Sequence, residues 1–72
     1  MDKNQYNTNL GNAIRELRHE LDLSQEELAD KAGLCRTYIG SIERGEKSIS
    51  VYNLYKLLES VNVPINQFLG RV

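Results

Sequence analysis

Residues 25–44 read QEELADKAGLCRTYIGSIER, and the way this stretch folds decides the reading of the whole chain. Its apolar residues fall into two short helical patterns joined at Ala32-Gly33-Leu34. Ala29 stands where two such helices cross most closely, and a side chain larger than a methyl would push them apart. Gly33 follows the first helix, where the chain must turn through positive φ and glycine does so without steric cost. Ile39 and Ile42, three apart, lay an apolar stripe along the inner side of the second helix. Its outward side then carries Arg36, Thr37, Tyr38, Gly40, Ser41 and Arg44. This is a hydrogen-bonding surface on a rigid support, the kind that reads base edges from the major groove of DNA.

Upstream, Ser24 is a helix cap and Glu27, three residues on, completes a capping box. Leu23 before the cap and Leu28 after it form a hydrophobic staple. Leu10, Ala13, Ile14, Leu17 and Leu21 recur at helical spacing and predict a first helix from about Asn9 to Leu21. Residues 1–8 are polar and read as a frayed arm, leaving 9–70 as a single domain. Downstream, a third helix from about Arg36 to Arg44 stops at Gly45. Ser50 caps a fourth helix with Leu54, Leu57, Leu58 and Val61 on its buried face up to about Asn62. Pro64 ends that pattern and opens a short fifth helix over 64–70. The expected fold class is all-α, five short helices with no strand.

Composition narrows the function. A chain of 72 residues makes one small domain, which buries only about 60% of its unfolded surface and gains from association. One Cys and one His give neither a disulfide framework nor a metal-ligand cluster, so no metal or cofactor is expected. No nucleophile–base pair or phosphate loop stands out, and an enzyme is not expected. The polar amino terminus and the lack of a long apolar run predict a cytoplasmic protein without a membrane span. The net charge of −1 runs against nucleic acid at first sight, but the charges are polarised. From Glu16 to Asp30, six acids (Glu16, Glu20, Asp22, Glu26, Glu27 and Asp30) stand against Arg18 alone. From Cys35 to Lys56, Arg36, Arg44, Lys47 and Lys56 outnumber Glu43 and Glu46. Charge permits DNA binding on that side, and a mixed solvated surface accounts for it equally well.

From Leu10 to Leu69 the chain resembles the Cro and lambda-repressor type of helix-turn-helix, the XRE family. The motifs are IRELR at 14–18, SQEELADKAG at 24–33 and RTYIGSIERGEKSIS at 36–50. Arg36-Thr37-Tyr38-Ile39 followed by Ile42-Glu43-Arg44-Gly45 is most similar to the controller proteins of restriction–modification systems. The resemblance implies a five-helix lambda-repressor-like domain whose helices 2 and 3 are the helix-turn-helix. It implies a homodimeric transcriptional regulator on a near-palindromic operator in double-stranded DNA, with RNA polymerase a further candidate partner. The competing class is a protein-interaction module, such as an antitoxin or antirepressor on the same fold.

The resemblance assigns site residues one by one. Gln25 donates to a DNA phosphate and braces the recognition helix. Arg36 and Thr37 open that helix, where base edges are met. The Arg36 fork suits guanine O6 and N7, and Thr37 offers a hydroxyl and a methyl. Tyr38 either faces DNA or packs against the domain edge. Gly40 stands where controller proteins carry Ser, and costs about 1 kcal/mol of helix stability relative to Ala. It also admits close approach of a thymine methyl. Ser41, one turn beyond Thr37, is a further contact candidate. Arg44, Lys47 and Ser48 grip phosphates, with an Arg or Lys able to reach a base. Arg18 and Glu43 form a structural ion pair between helices 1 and 3 and stay outside the reading set. Cys35 and His19 are expected to be ordinary surface residues. The dimer surface is expected on helices 4 and 5, through Val63, Ile65, Phe68 and Leu69. Val63 and Ile65 would partly close the core while Phe68 or Leu69 projects.

Overall fold

A computed structural model describes residues 1–72 as five helices and no strands: α1 Lys3–Glu20, α2 Gln25–Ala32, α3 Arg36–Glu43, α4 Val51–Ser60 and α5 Ile65–Leu69. No helix is long and apolar enough to cross a membrane. α1 packs on α3, and α2 packs on both α3 and α4. The core between them is one cluster. Leu10, Ala13, Ile14 and Leu17 come from α1, Leu28, Ala29 and Ala32 from α2, and Ile39 and Ile42 from α3. Ile49, Leu54, Leu57, Leu58 and Phe68 complete it. Ile14, Ile39, Leu57 and Phe68 are fully enclosed, and each such side chain stabilises the fold by about 1.5–3 kcal/mol.

The helix boundaries follow local chemistry. Ser24 accepts from the Glu27 amide at 3.0 Å, and Glu27 Oε1 accepts from the Ser24 amide at 2.8 Å, so the capping box is complete. Ser50 caps α4 by accepting from the Asn53 amide at 3.1 Å, without the reciprocal bond. α1 through α4 all end in one kind of turn. Asp22, Gly33, Gly45 and Asn62 adopt φ of 56°, 68°, 76° and 60°. Behind them the amides of Leu23, Leu34, Glu46 and Val63 return to the carbonyls of Arg18, Ala29, Ser41 and Leu58. These are Schellman closures, which satisfy carbonyls that the helix leaves orphaned.

The expected frayed arm is not present. α1 begins at Lys3, capped by Asp2, whose carboxylate accepts from the Gln5 amide at 2.8 Å. The extra turns are held because Asn7 is buried and its Oδ1 accepts from the Ser48 hydroxyl at 2.7 Å. A polar residue there occupies the inner stripe of α1, so counting apolar positions starts the helix too late. The carboxy-terminal end is tied down as well. Arg71 makes a two-point ion pair with Glu20, at 2.7 and 2.8 Å, and holds the Glu20 carboxyl below the usual carboxylate range.

Candidate nucleic-acid interface

Arg36 and Thr37 form the exposed first turn of α3. The other end of their helix is tied to its neighbours. Glu43, at the last turn, is buried, and its carboxylate collects donors from two other helices. Arg18 Nε reaches Oε2 at 2.7 Å and Arg18 Nη2 reaches Oε1 at 3.0 Å. Gln25 Nε2 donates to Oε1 at 3.1 Å, and Arg15 Nη2 donates to the Glu43 backbone carbonyl at 2.9 Å. Burial alone would push the Glu43 carboxyl up. The hydrogen bonds from Arg18 and then Gln25 outweigh it and hold the group below the usual carboxylate range. The pair expected between Arg18 and Glu43 is therefore the centre of a larger polar knot, and Gln25 braces the recognition helix through it.

Not all of the expected outward face is outward. Gly40 and Ser41 are buried. A Cβ on Gly40 would meet Arg44 Nη1 at 3.0 Å and Gln25 Oε1 at 3.5 Å, and the Ser41 hydroxyl lies 3.5 Å from Arg44 Nη2. The end of the Arg44 side chain, one helical turn further on, folds back over this stretch. Tyr38 takes the intermediate course. It is half-buried against the core, and its hydroxyl accepts from Asn53 Nδ2 at 3.2 Å, tying α3 to α4. Ser48 spends its proton on Asn7, whereas Lys47 is exposed with no ion pair. Arg44 is paired with Glu46.

Around this face, Cys35 is a free, exposed thiol at the start of α3, drawn below its ordinary pKa chiefly by the Thr37 and Tyr38 amides. His19 is exposed on α1.

The residues expected at a dimer surface divide differently from the expectation for Phe68, which is wholly buried in the core. α5 is a single turn and turns its one aromatic inward. Val63 and Ile65 are partly buried against the core, and Leu69 projects, 51% exposed. Val51, Tyr52 and Tyr55 on α4 also stand exposed. They were missed because the reading of α4 followed its buried period alone, and three large side chains off that period are the signal that marks them.

Residues 14–68 match the helix-turn-helix family model HTH_3. The chain is 40% identical over 62 residues to the control protein C.SmaI of Serratia marcescens, covering 86% of this chain and 74% of that protein. It is 36% identical over 63 residues to the control protein C.MunI of a Mycoplasma species, covering 86% and 85%. The crystal structure of the restriction-modification controller protein C.AhdI from Aeromonas hydrophila superimposes with a TM-score of 0.85 at 36% identity, over 89% of this chain and 97% of that one. This protein belongs to the helix-turn-helix family.

Proposed function

We propose that this protein is a sequence-specific DNA-binding transcriptional regulator that binds a near-palindromic operator as a homodimer and controls a restriction–modification operon. The observation that carries the reading is the exposed Arg36-Thr37 turn on a helix whose far end is fixed by Arg18, Glu43 and Gln25. Likeness to control proteins over most of the chain supports the choice of operon. In this mechanism α3 enters the major groove, Arg36 and Thr37 meet base edges, and Lys47 meets a phosphate. RNA polymerase is a further partner in the reading, and the cytoplasm its place of action.

Binding to a duplex that carries the region upstream of its own gene, titrated from low to moderate salt, tests the reading. No binding even at low salt would favour a module whose partner is protein. Within that experiment the two cations separate. Arg36→Ala is expected to relax preference at one base position of each half-site. Lys47→Ala is expected to weaken all sequences alike and to lower the salt slope by about one. An Arg36→Ala variant with an unchanged preference profile would take that residue out of the reading set.

Two recognition helices about 34–36 Å apart are needed to read adjacent half-sites. Leu69 on α5 and Tyr55 on α4 are exposed apolar residues on elements other than the helix-turn-helix, which supports self-association there. Sedimentation at micromolar concentration is expected to show a dimer for the wild type and a monomer for Leu69→Glu. A monomeric wild type would end the homodimer proposal, and a folded, dimeric variant would move the interface.

A further inference from the structure

The Arg44 guanidinium is held rather than free. Its Nε donates to Glu46 Oε2 at 2.8 Å and its Nη2 to Glu46 Oε1 at 3.2 Å, a two-point match of fork and carboxylate. Nη2 also lies 3.5 Å from the Ser41 hydroxyl, and Nη1 lies 3.0 Å from the point a Gly40 Cβ would occupy. The group thus folds back along the recognition helix instead of extending beyond its end. Both side chains are more than half exposed, at 54% and 58%, so core packing does not impose this arrangement.

Two local features produce it. The Schellman closure at Gly45 brings the Glu46 amide to the Ser41 carbonyl at 3.0 Å, fixing the backbone that carries the carboxylate. Gly40 leaves empty the space in which the guanidinium end rests. An exposed ion pair adds little to stability, so its consequence lies in what Arg44 can bind. The carboxylate takes Nε and Nη2, and the Nη1 protons have no acceptor within the domain.

We propose that Glu46 is a positioning residue that fixes Arg44 over Gly40 as a reader of a base edge, instead of leaving it a mobile phosphate clamp. The proposal rests on the DNA-binding reading above. An unpaired Arg at the end of the helix attracts any phosphate and samples many rotamers. Pairing removes both properties before DNA arrives. The pair carries no net charge, so it adds nothing to sequence-independent attraction, and the planar group is already oriented. What remains is Nη1, a directional donor of the kind that guanine O6 or N7 accepts. Gly40 belongs to the same device, since a methyl there would displace the flexible end of Arg44 without touching the core.

Selection from a randomised duplex pool tests this for the wild type, Arg44→Ala, Glu46→Gln and Gly40→Ala. Circular dichroism verifies that each variant is folded, and binding to a mixed-sequence duplex is measured at several salt concentrations. Arg44→Ala is expected to lose preference at one base pair of each half-site. Glu46→Gln and Gly40→Ala are expected to flatten that same position, by about tenfold, while the position read by Arg36 is retained. Glu46→Gln is also expected to bind the mixed-sequence duplex more tightly, with a salt slope steeper by about 0.9. Tighter binding with the wild-type preference profile would overturn the proposal and leave Glu46 a simple surface charge. An unchanged profile for Arg44→Ala or Gly40→Ala would overturn it as well. A wild type that enriches no sequence defeats the DNA reading itself, a pattern distinct from the loss of one position.

Discussion

Replacing Glu43 by Ala is expected to cost about 3–5 kcal/mol of folding stability, the range for removing one side of a buried ion pair. The Glu43 side chain is 1% exposed and that of Arg18 11%, so neither charge has water to fall back on. Without the carboxylate, Arg18 keeps one acceptor, the Leu23 carbonyl at 2.9 Å, and Gln25 loses its partner. A chain of 72 residues has a total stability of only about 4–11 kcal/mol, at about 0.05–0.15 kcal/mol per residue. The variant is therefore expected to be partly unfolded at 37 °C, read by urea titration with circular dichroism. A loss below about 1 kcal/mol would mean that water reaches the site and solvates Arg18. Replacing Arg18 and Glu43 together by Leu should cost less than the two single changes summed, because no charge is then stranded.

The same group sets the acid limb of stability. Its folded pKa lies below the unfolded value, so its contribution is present above about pH 4.3 and is lost as pH falls through the folded value. Glu20, held by Arg71, and Glu27, held by the Ser24 amide, shift in the same direction. The melting temperature is expected to stay level from neutral pH down to about 5 and to fall below that. Glu43→Gln should start lower and fall less steeply.

How much of this was legible depends on whether a feature is local. The capping box at Ser24, the left-handed turn at Gly33 and the cap at Ser50 involve residues three or four apart, and each was read from the chain. The Arg18–Glu43 pair spans 25 residues and was available only through family resemblance. The start of α1 was missed because its anchor is polar: Asn7 binds Ser48, 41 residues away, where an apolar count sees nothing. The burial of Gly40 and Ser41 was missed because the outward face was counted position by position, without the Arg44 side chain that lies over both from one turn further along the chain. Of Phe68 and Leu69 one is expected to project, and Leu69 does; Phe68, counted with the dimer surface, is buried because a single turn suffices to bury one ring. The exposed first turn with Arg36 and Thr37, by contrast, needed only the inward stripe of Ile39 and Ile42.

Gly11→Ala is expected to destabilise the protein by about 2–3 kcal/mol, although helix propensity alone predicts a gain of about 1 kcal/mol. Gly11 lies in the middle of α1, on the side that faces α3, and is buried. A Cβ built there would stand 2.2 Å from the Ile42 carbonyl oxygen and 2.9 Å from that of Glu43. Both obstacles are backbone, which cannot rotate away as a side chain would, so α1 and α3 must separate. Overpacking a well-filled core costs about 1–3 kcal/mol and more where nothing yields, and this contact belongs at the upper end. Separation would also lengthen the bond from Arg15 to the Glu43 carbonyl and those from Arg18 to its carboxylate, since all three cross the same junction. Part of the buried ion-pair energy is thus lost along with the packing. Gly40→Ala is the internal control, because its new methyl meets only the ends of Arg44 and Gln25. There the propensity gain is expected to survive, and the urea midpoints of the two variants should move in opposite directions from the wild type. A Gly11→Ala protein as stable as the wild type would show that α1 shifts past α3 without cost, and that the pinned far end of the recognition helix is less fixed than its hydrogen bonds imply.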